Sequence, residues 1–311
     1  MRLKKQDYRN PKWVSKKVKE LVDITNEAPR EKFYSDVAKE LLVNIDMPLK
    51  KNKFQSVYGL LTGDFSTLAS RYLSLGAAKL YNNNESGWEE IRKGILYDKF
   101  SAKFRHAFIV KDNCFDDPSN IVSGSIFAGK EALTFCLALV LGDLDFVNGF
   151  GRHVLKNFIK SQGGDKIYFY STPFFPFVLK LYSLLNGVEI QFRTDVKTPL
   201  GRYQQIFENW NSAQNLVGPI LDVCDYHCEQ SVETGELPAF AYLPYTVLPV
   251  EIYSLFCVRK ILNLDTPIID HPILDCPLLR IPSQTRDNQD EITLKAQARL
   301  HRDFQSFDNL W

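Results

Sequence analysis

Apolar positions recur at steps of three and four along most of this chain, the period of an α-helix that buries one face. In residues 11–25 Trp13, Val14, Val18, Leu21 and Val22 share a face, with Pro11 suited to the first turn. Ala28-Pro29 interrupts, and residues 30–45 resume with Phe33, Val37, Leu41 and Ile45 in line. Residues 54–81 form a third block, with a break expected at Gly63-Asp64. Residues 88–108, 121–142, 143–162 and 165–187 follow as helices. Gly142 and Gly163-Gly164 act as stops, Pro173 as a start and Gly187 as a C-terminal stop. The decade 132–141, ALTFCLALVL, is apolar all round and suits a buried helix. Val188 to Arg193 alternates, but a single strand without a partner reads as an extended linker.

The same period organises residues 203–282. Ile206, Trp210, Ala213, Val217, Ile220, Cys224 and His227 step by 4, 3, 4, 3, 4 and 3, which predicts one long helix kinked at Gly218-Pro219. An apolar helix follows over Leu248–Leu264, then Asp270–Pro277, and a final helix is expected over 291–310. Hairpin signals are missing, so the expected fold is all-α, a multi-helix bundle of about ten helices packed as antiparallel helical hairpins. The period lapses at 112–120, DNCFDDPSN. The expected division is therefore an N-terminal helical sub-domain, 1–112, and a C-terminal one with an acidic surface, 113–311.

Composition narrows the class. Hydrophobic content of 45% and charged content of 24% fit a globular protein, and a net charge of +1 provides no global field for nucleic acid or membrane. The basic start, MRLKKQDYRNPKW, has no apolar core of a signal peptide. No run approaches the roughly 18 apolar residues of a membrane span. Six irregularly spaced cysteines read as reduced thiols, so a cytoplasmic location is expected. Local charge is uneven. Residues 1–53 carry 14 Lys/Arg against 8 Asp/Glu, a net of +6; residues 222–275 carry 9 Asp/Glu against 2 Lys/Arg, a net of −7. Such asymmetry either steers a basic partner to one face or balances itself across the fold.

Candidate chemistry concentrates in 203–282, which holds two of the five histidines and four of the six cysteines. Cys224, His227, Cys228, Asp270, His271 and Cys276 are of zinc-ligating types, but the spacing is not that of a standard zinc site, and Cys224 and His227 fall on the apolar stripe. Cys224 or Cys228 with His227 or His271 could also make a nucleophilic site. His271, between Asp270 and Pro272, alternatively fixes a turn. Gly124–Glu131 fits seven positions of a phosphate-binding P-loop, with Glu131 where a magnesium-binding hydroxyl belongs and no strand before it. Glu251 sits in an apolar helix, where a carboxylate needs a partner; Arg259 and Arg71 are the candidates.

An amphipathic helix ending in Asp225-Tyr226-His227, a polar loop and an aromatic-proline segment running into an apolar helix with one Glu resembles the C-terminal region of PoNi-type immunity proteins. The family element reads approximately H…Y-x-G-Y-W-x-x-E-x-x-A; here stand His227, Tyr242, Pro244-Tyr245 and Glu251, without the Gly-Tyr-Trp. Arg71, Tyr72, Ser74 and Gly76 resemble the family's R-Y-S-x-G, with Leu73 where that segment has Ser. The resemblance covers about residues 55–280. It implies an all-α cytoplasmic monomer or homodimer that binds a toxin, delivered for instance by type VI secretion, and blocks its active site. The expected partner is a basic nuclease domain, with no direct nucleic-acid or membrane binding, no cofactor, no metal and no catalysis. The contact candidates are Asp222, Asp225, Glu229, Glu233 and Glu236, the first three adjacent on a helix surface by their spacing. Two alternatives stay open: a helical enzyme, such as a metal-dependent hydrolase, centred on Cys224, His227 and His271, and a helical scaffold or adaptor.

Overall fold

The structure, a computed structural model, describes residues 8–48, 54–112, 122–161, 172–192, 196–232, 239–282 and 289–304. Among the described residues it holds eleven α-helices and no strand. The helices are α1 Pro11–Thr25, α2 Ala28–Asp46, α3 Phe54–Tyr81, α4 Gly87–Asp112, α5 Val122–Val140, α6 Leu144–Ser161, α7 Phe174–Asn186, α8 Gln204–Glu208, α9 Ala213–Glu229, α10 Val250–Ile261 and α11 Glu291–Asp303. The all-α expectation holds. Gly142 and Gly187 stand at φ of +80° and +63° after α5 and α7, the left-handed turn that ends a helix and that glycine adopts without strain. Gly63-Asp64 does not break α3, which continues to Tyr81. Two glycine-associated residues inside a long packed helix cost too little to end it. The long helix expected from 203 is two helices, α8 and α9, separated at 209–212 and restarted by the Ser212 hydroxyl, which accepts from the Asn215 N–H at 3.3 Å.

The chain groups into two compact units, Met1–Val18 with Pro118–Ile281 and Lys19–Asp117 with Pro282–Trp311. In the second unit α3 and α4 pack as an antiparallel pair at near-backbone contact. A Cβ on Gly76 would lie 2.6 Å from the Gly87 carbonyl oxygen and 2.8 Å from the Ile91 nitrogen, and one on Gly94 would lie 2.6 Å from Leu73 Cγ. The core beneath holds Leu41, Ile45, Tyr58, Phe65, Phe100 and Phe104, with Ala296 and Leu300 from α11. Phe65 stacks on Phe100 and Phe104 at 5.5 and 5.6 Å. Buried Arg299 fastens α11 to the C-terminal end of α2. Its Nη1 donates to the carbonyls of Asn44, Ile45 and Met47, and its Nε to Asp303 at 2.6 Å. Arg71 closes α1 in the same manner, donating to the Thr25 carbonyl at 3.0 Å while pairing with Glu31. These contacts satisfy carbonyls that a helix end leaves without an internal partner.

In the first unit α5 is buried on all sides over Ala132–Val140, as its composition predicts. It packs against α6, α7 and α10. Phe135 meets Phe150 and Tyr182, and Phe177 of α7 stacks on Tyr203 at 4.1 Å. The helix α9 lies on α10 and on the 3-10 turns Gly201–Tyr203 and Pro272–Leu274. The P-loop-like stretch 124–131 lies inside α5 and is helical, so it makes no phosphate-cradling loop.

The glycines of α3 differ in what surrounds them, and opposite effects are expected. Gly76→Ala forces α3 and α4 apart and lowers stability by about 1–3 kcal/mol. Gly59→Ala, at an exposed position with nothing within 4 Å of the added carbon, raises it by about 0.5–1 kcal/mol. Urea unfolding of the two variants beside the parent checks both signs.

Candidate functional site

The residue types able to do chemistry come together between α9, α10 and the turns that flank them. In α9 the buried face is Leu216, Ile220, Val223, Cys224, His227 and Cys228. Val217, read as part of that face, is exposed instead. The restart of the helix at Ser212 shifts the phase that a single helix from 203 would have had. Glu251 lies in the first turn of α10, where the positive end of the helix dipole favours a carboxylate.

His227 and Glu251 are both fully buried, and His227 Nδ1 lies 2.8 Å from Glu251 Oε1. Phe240 stacks on the imidazole, ring centres 4.5 Å apart. The partner of Glu251 is therefore a histidine of the neighbouring helix. Arg259, one of the two expected partners, instead gives Nε to the Asp265 carbonyl at 3.0 Å and Nη1 to the Trp210 carbonyl, with its guanidinium over the Trp210 ring. Arg71 lies in the other unit. His227 Nε2, Glu251 Oε2, Tyr203 Oη and Thr246 Oγ1 are buried without a hydrogen-bond partner among the described residues. Burial raises the Tyr203 hydroxyl well above its ordinary value, and the charge of Glu251 adds to the shift.

The thiols around this pair are held protonated. Burial pushes Cys136, Cys224 and Cys228 upward, and the negative charges of Glu251 and, for the latter two, Asp225 push further. Cys276 is raised by burial to about 12. A thiol held protonated is a poor nucleophile, since the thiolate is the reactive form. Among the described residues no group of three or more His, Cys, Asp or Glu side chains is arranged to hold a metal ion.

A second buried group is built on Asp225. This residue, expected on the helix surface, is 1% exposed. Its Oδ2 accepts from Arg9 Nη2 at 2.9 Å, and Oδ1 faces Arg9 Nε and His271 Nε2, each at 3.4 Å. His271 does fix a turn: its Nδ1 accepts from the Ile273 N–H at 3.2 Å and caps the turn Pro272–Leu274. An Nδ1 that accepts carries no proton, so the neutral ring has its proton on Nε2, facing Asp225. Burial holds His271 below its ordinary value, against the pull of Asp225.

The other contact candidates divide. Asp222 is 41% exposed and Glu229 27% exposed. Arg202 bridges them, Nη2 to Glu229 at 2.5 Å and Nη1 to Asp222 at 3.5 Å, and lies over the Tyr226 ring. Glu233 and Glu236 lie outside the described residues. Sequence periodicity identified neither Arg9 nor Tyr203 as a member of these groups. Ser212 followed by an apolar helix was the one local signal for the corrected phase. Comparison of the chain with protein-family models, with curated proteins and with solved structures gives no match.

Two outcomes test this arrangement. Glu251→Ala leaves His227 Nδ1 without its partner beside a cavity and lowers unfolding free energy by about 3 kcal/mol, while Glu251→Gln, which keeps an acceptor, costs less; urea unfolding separates them. Because the folded protein keeps His271 neutral where the unfolded chain protonates it, stability falls as pH drops below about 6.5. His271→Asn retains an N-cap acceptor and removes that part of the pH slope, read from unfolding midpoints between pH 8 and pH 5.

Proposed function

We propose that this chain is an immunity protein, a non-enzymatic antidote that binds a cognate secreted bacterial toxin with a basic nuclease-like domain and masks its active site. The observation that carries this reading is how burial sorts the residue types of 203–282. Cys224, His227, Cys228, His271 and Cys276 are enclosed, whereas Asp222, Glu229, Asp265, Asp270 and Asp275 reach the surface to differing degrees. What solvent and a partner meet is carboxylate; what could react is enclosed, with its thiols held protonated. Carboxylates facing a cationic cleft speed association and select the partner. Two residues on which the PoNi resemblance rests, His227 and Glu251, are bonded to each other, so that element acts here as part of the core.

Asp225 is not among the proposed contacts, since Lys in its place would bury a cation against Arg9 and His271. Asp222 and Glu229 remain among the described residues, and Glu233 and Glu236, outside them, stay in the proposed contact set. The test is to identify the genes beside its own and to co-produce the chain with any nuclease toxin encoded there; a metabolic operon in that place would overturn the reading. The chain is expected to rescue growth and to form a complex stable to gel filtration. Asp222→Asn with Glu229→Gln, which keep acceptors for Arg202, should slow association several-fold at low salt and less at high salt, with the thermal midpoint within a few degrees of the parent. Stoichiometric zinc that disappears on changing Cys224 and His227, together with hydrolytic turnover, would replace this reading with the enzyme reading.

A further inference from the structure

Tyr58, Tyr97 and Tyr203 are wholly enclosed. A buried hydroxyl is ordinarily hydrogen-bonded. Tyr58 gives its hydroxyl to Asp303 at 2.9 Å, and Tyr97 gives its own to Asp290 at 2.6 Å. The Tyr203 hydroxyl meets no hydrogen-bonding group among the described residues. Two buried carboxylates of the first unit differ in the same way. Asp225 has both oxygens engaged, by Arg9 and beside His271. Glu251 has Oε1 on His227, but Oε2 meets no donor among the described residues, and His227 Nε2 is the third such atom. Tyr203, His227 and Glu251 are each 0% exposed, and the charge of Glu251 reaches the Tyr203 hydroxyl.

None of the three side chains is free to turn towards a partner. The Tyr203 ring is stacked on Phe177 at 4.1 Å and stands edge-on to Tyr226 at 5.8 Å. The imidazole is fixed by its bond to Glu251 and by Phe240 on its face, and the same bond fixes the carboxylate. What the three atoms can accept or give is also set. Glu251 acts on the surrounding thiols as an anion, so His227 Nδ1 carries the proton shared with Oε1, and Nε2 is a bare acceptor. Glu251 Oε2 is a second acceptor, while the Tyr203 hydroxyl can donate as well as accept. An anion would face two acceptors and be repelled. A metal ion needs more ligands than one nitrogen and one carboxylate, and among the described residues no group of three or more His, Cys, Asp or Glu is arranged to supply them. A neutral molecule with two donor hydrogens and an acceptor oxygen suits all three atoms.

We propose that His227 Nε2, Glu251 Oε2 and Tyr203 Oη line an internal hydration site, in which ordered water completes the hydrogen bonding of the His227–Glu251 pair. Water donates its hydrogens to Nε2 and Oε2 and accepts from Tyr203 Oη, as one molecule or a short chain. The network so formed holds His227 in a single tautomer and ties Tyr203 to α9 and α10 through their polar atoms as well as through its ring. It concerns the interior of the first unit and requires no partner, so it stands apart from the immunity reading.

A crystal structure of the full chain, at a resolution that places water, tests this directly. Expected is a water oxygen within about 2.7–3.2 Å of at least two of Nε2, Oε2 and Tyr203 Oη. Oxygen-17 magnetic relaxation dispersion reads long-lived internal water in solution. Its amplitude should fall by at least one molecule in His227→Phe/Glu251→Met, which replaces the pair by apolar side chains. Tyr203→Phe removes one bond and leaves the ring contacts in place; the water should stay and its residence time shorten several-fold. If the double variant does not fold, the residence time in Tyr203→Phe decides alone. A retained small molecule or ion at the site, seen as density or as excess mass in native mass spectrometry, overturns the proposal. So does a protein group bonded to two of the three atoms, a dispersion amplitude unchanged in the double variant, or a residence time unchanged in Tyr203→Phe.

Discussion

A carboxylate in a closed apolar interior must lie within reach of a group that shares its proton or charge, and Glu251 meets that demand through His227. Much of the first unit follows from this one bond. It sets the rotation of α9 against α10, since only one face of each helix can bring Nδ1 and Oε1 to 2.8 Å. It also calls for a lid over the imidazole, which Phe240 supplies, its own backbone N–H returning to the Gln230 carbonyl at 3.1 Å. The same charge acts on the thiols nearby, so the feature that orders the interior also keeps its sulfur unreactive.

A second solution recurs at helix ends. Arg259, Arg299 and Arg71 are each buried, and each directs its planar fork at backbone carbonyls. Arg299 serves three carbonyls around the end of α2; Arg259 joins the carbonyls of Trp210 and Asp265, on either side of α9 in sequence. Guanidinium suits this role because it offers five donors in a rigid plane and is more weakly hydrated than ammonium. The buried cation is solvated by peptide dipoles, and a carboxylate at full ion-pair distance is not required for Arg259.

The helices were legible because their signals are local. Periods of three and four, the apolar decade in α5 and the glycines at 142 and 187 each act within a few residues. The polar groups were not. Asp225 stands at a position that the presumed continuous helix exposes, and its partners lie 216 residues before it and 46 after it. Glu251 has an arginine two turns along its own helix, yet its partner comes from 24 residues back. Sequence spacing reports which residues share a helix face. It does not report which face meets which, and that choice decides whether a carboxylate is a surface contact or a core member. Cys224 and His227 were correctly placed in the core because their positions follow the apolar stripe, which survives there even when the helix is cut differently.

The Arg9–Asp225 bond also bears on the order in which the protein can be completed. A ribosome adding about 5–20 residues each second exposes Arg9 roughly 10–40 s before Asp225 exists to receive it. Arg299 and the carbonyls of Asn44–Met47 stand in the same relation within the other unit, about 250 residues apart. Each unit therefore joins a cation to a group far from it in sequence, an exposed one in Arg9 and a buried one in Arg299. Neither contact can form until the later-made of its two partners has been added to the chain.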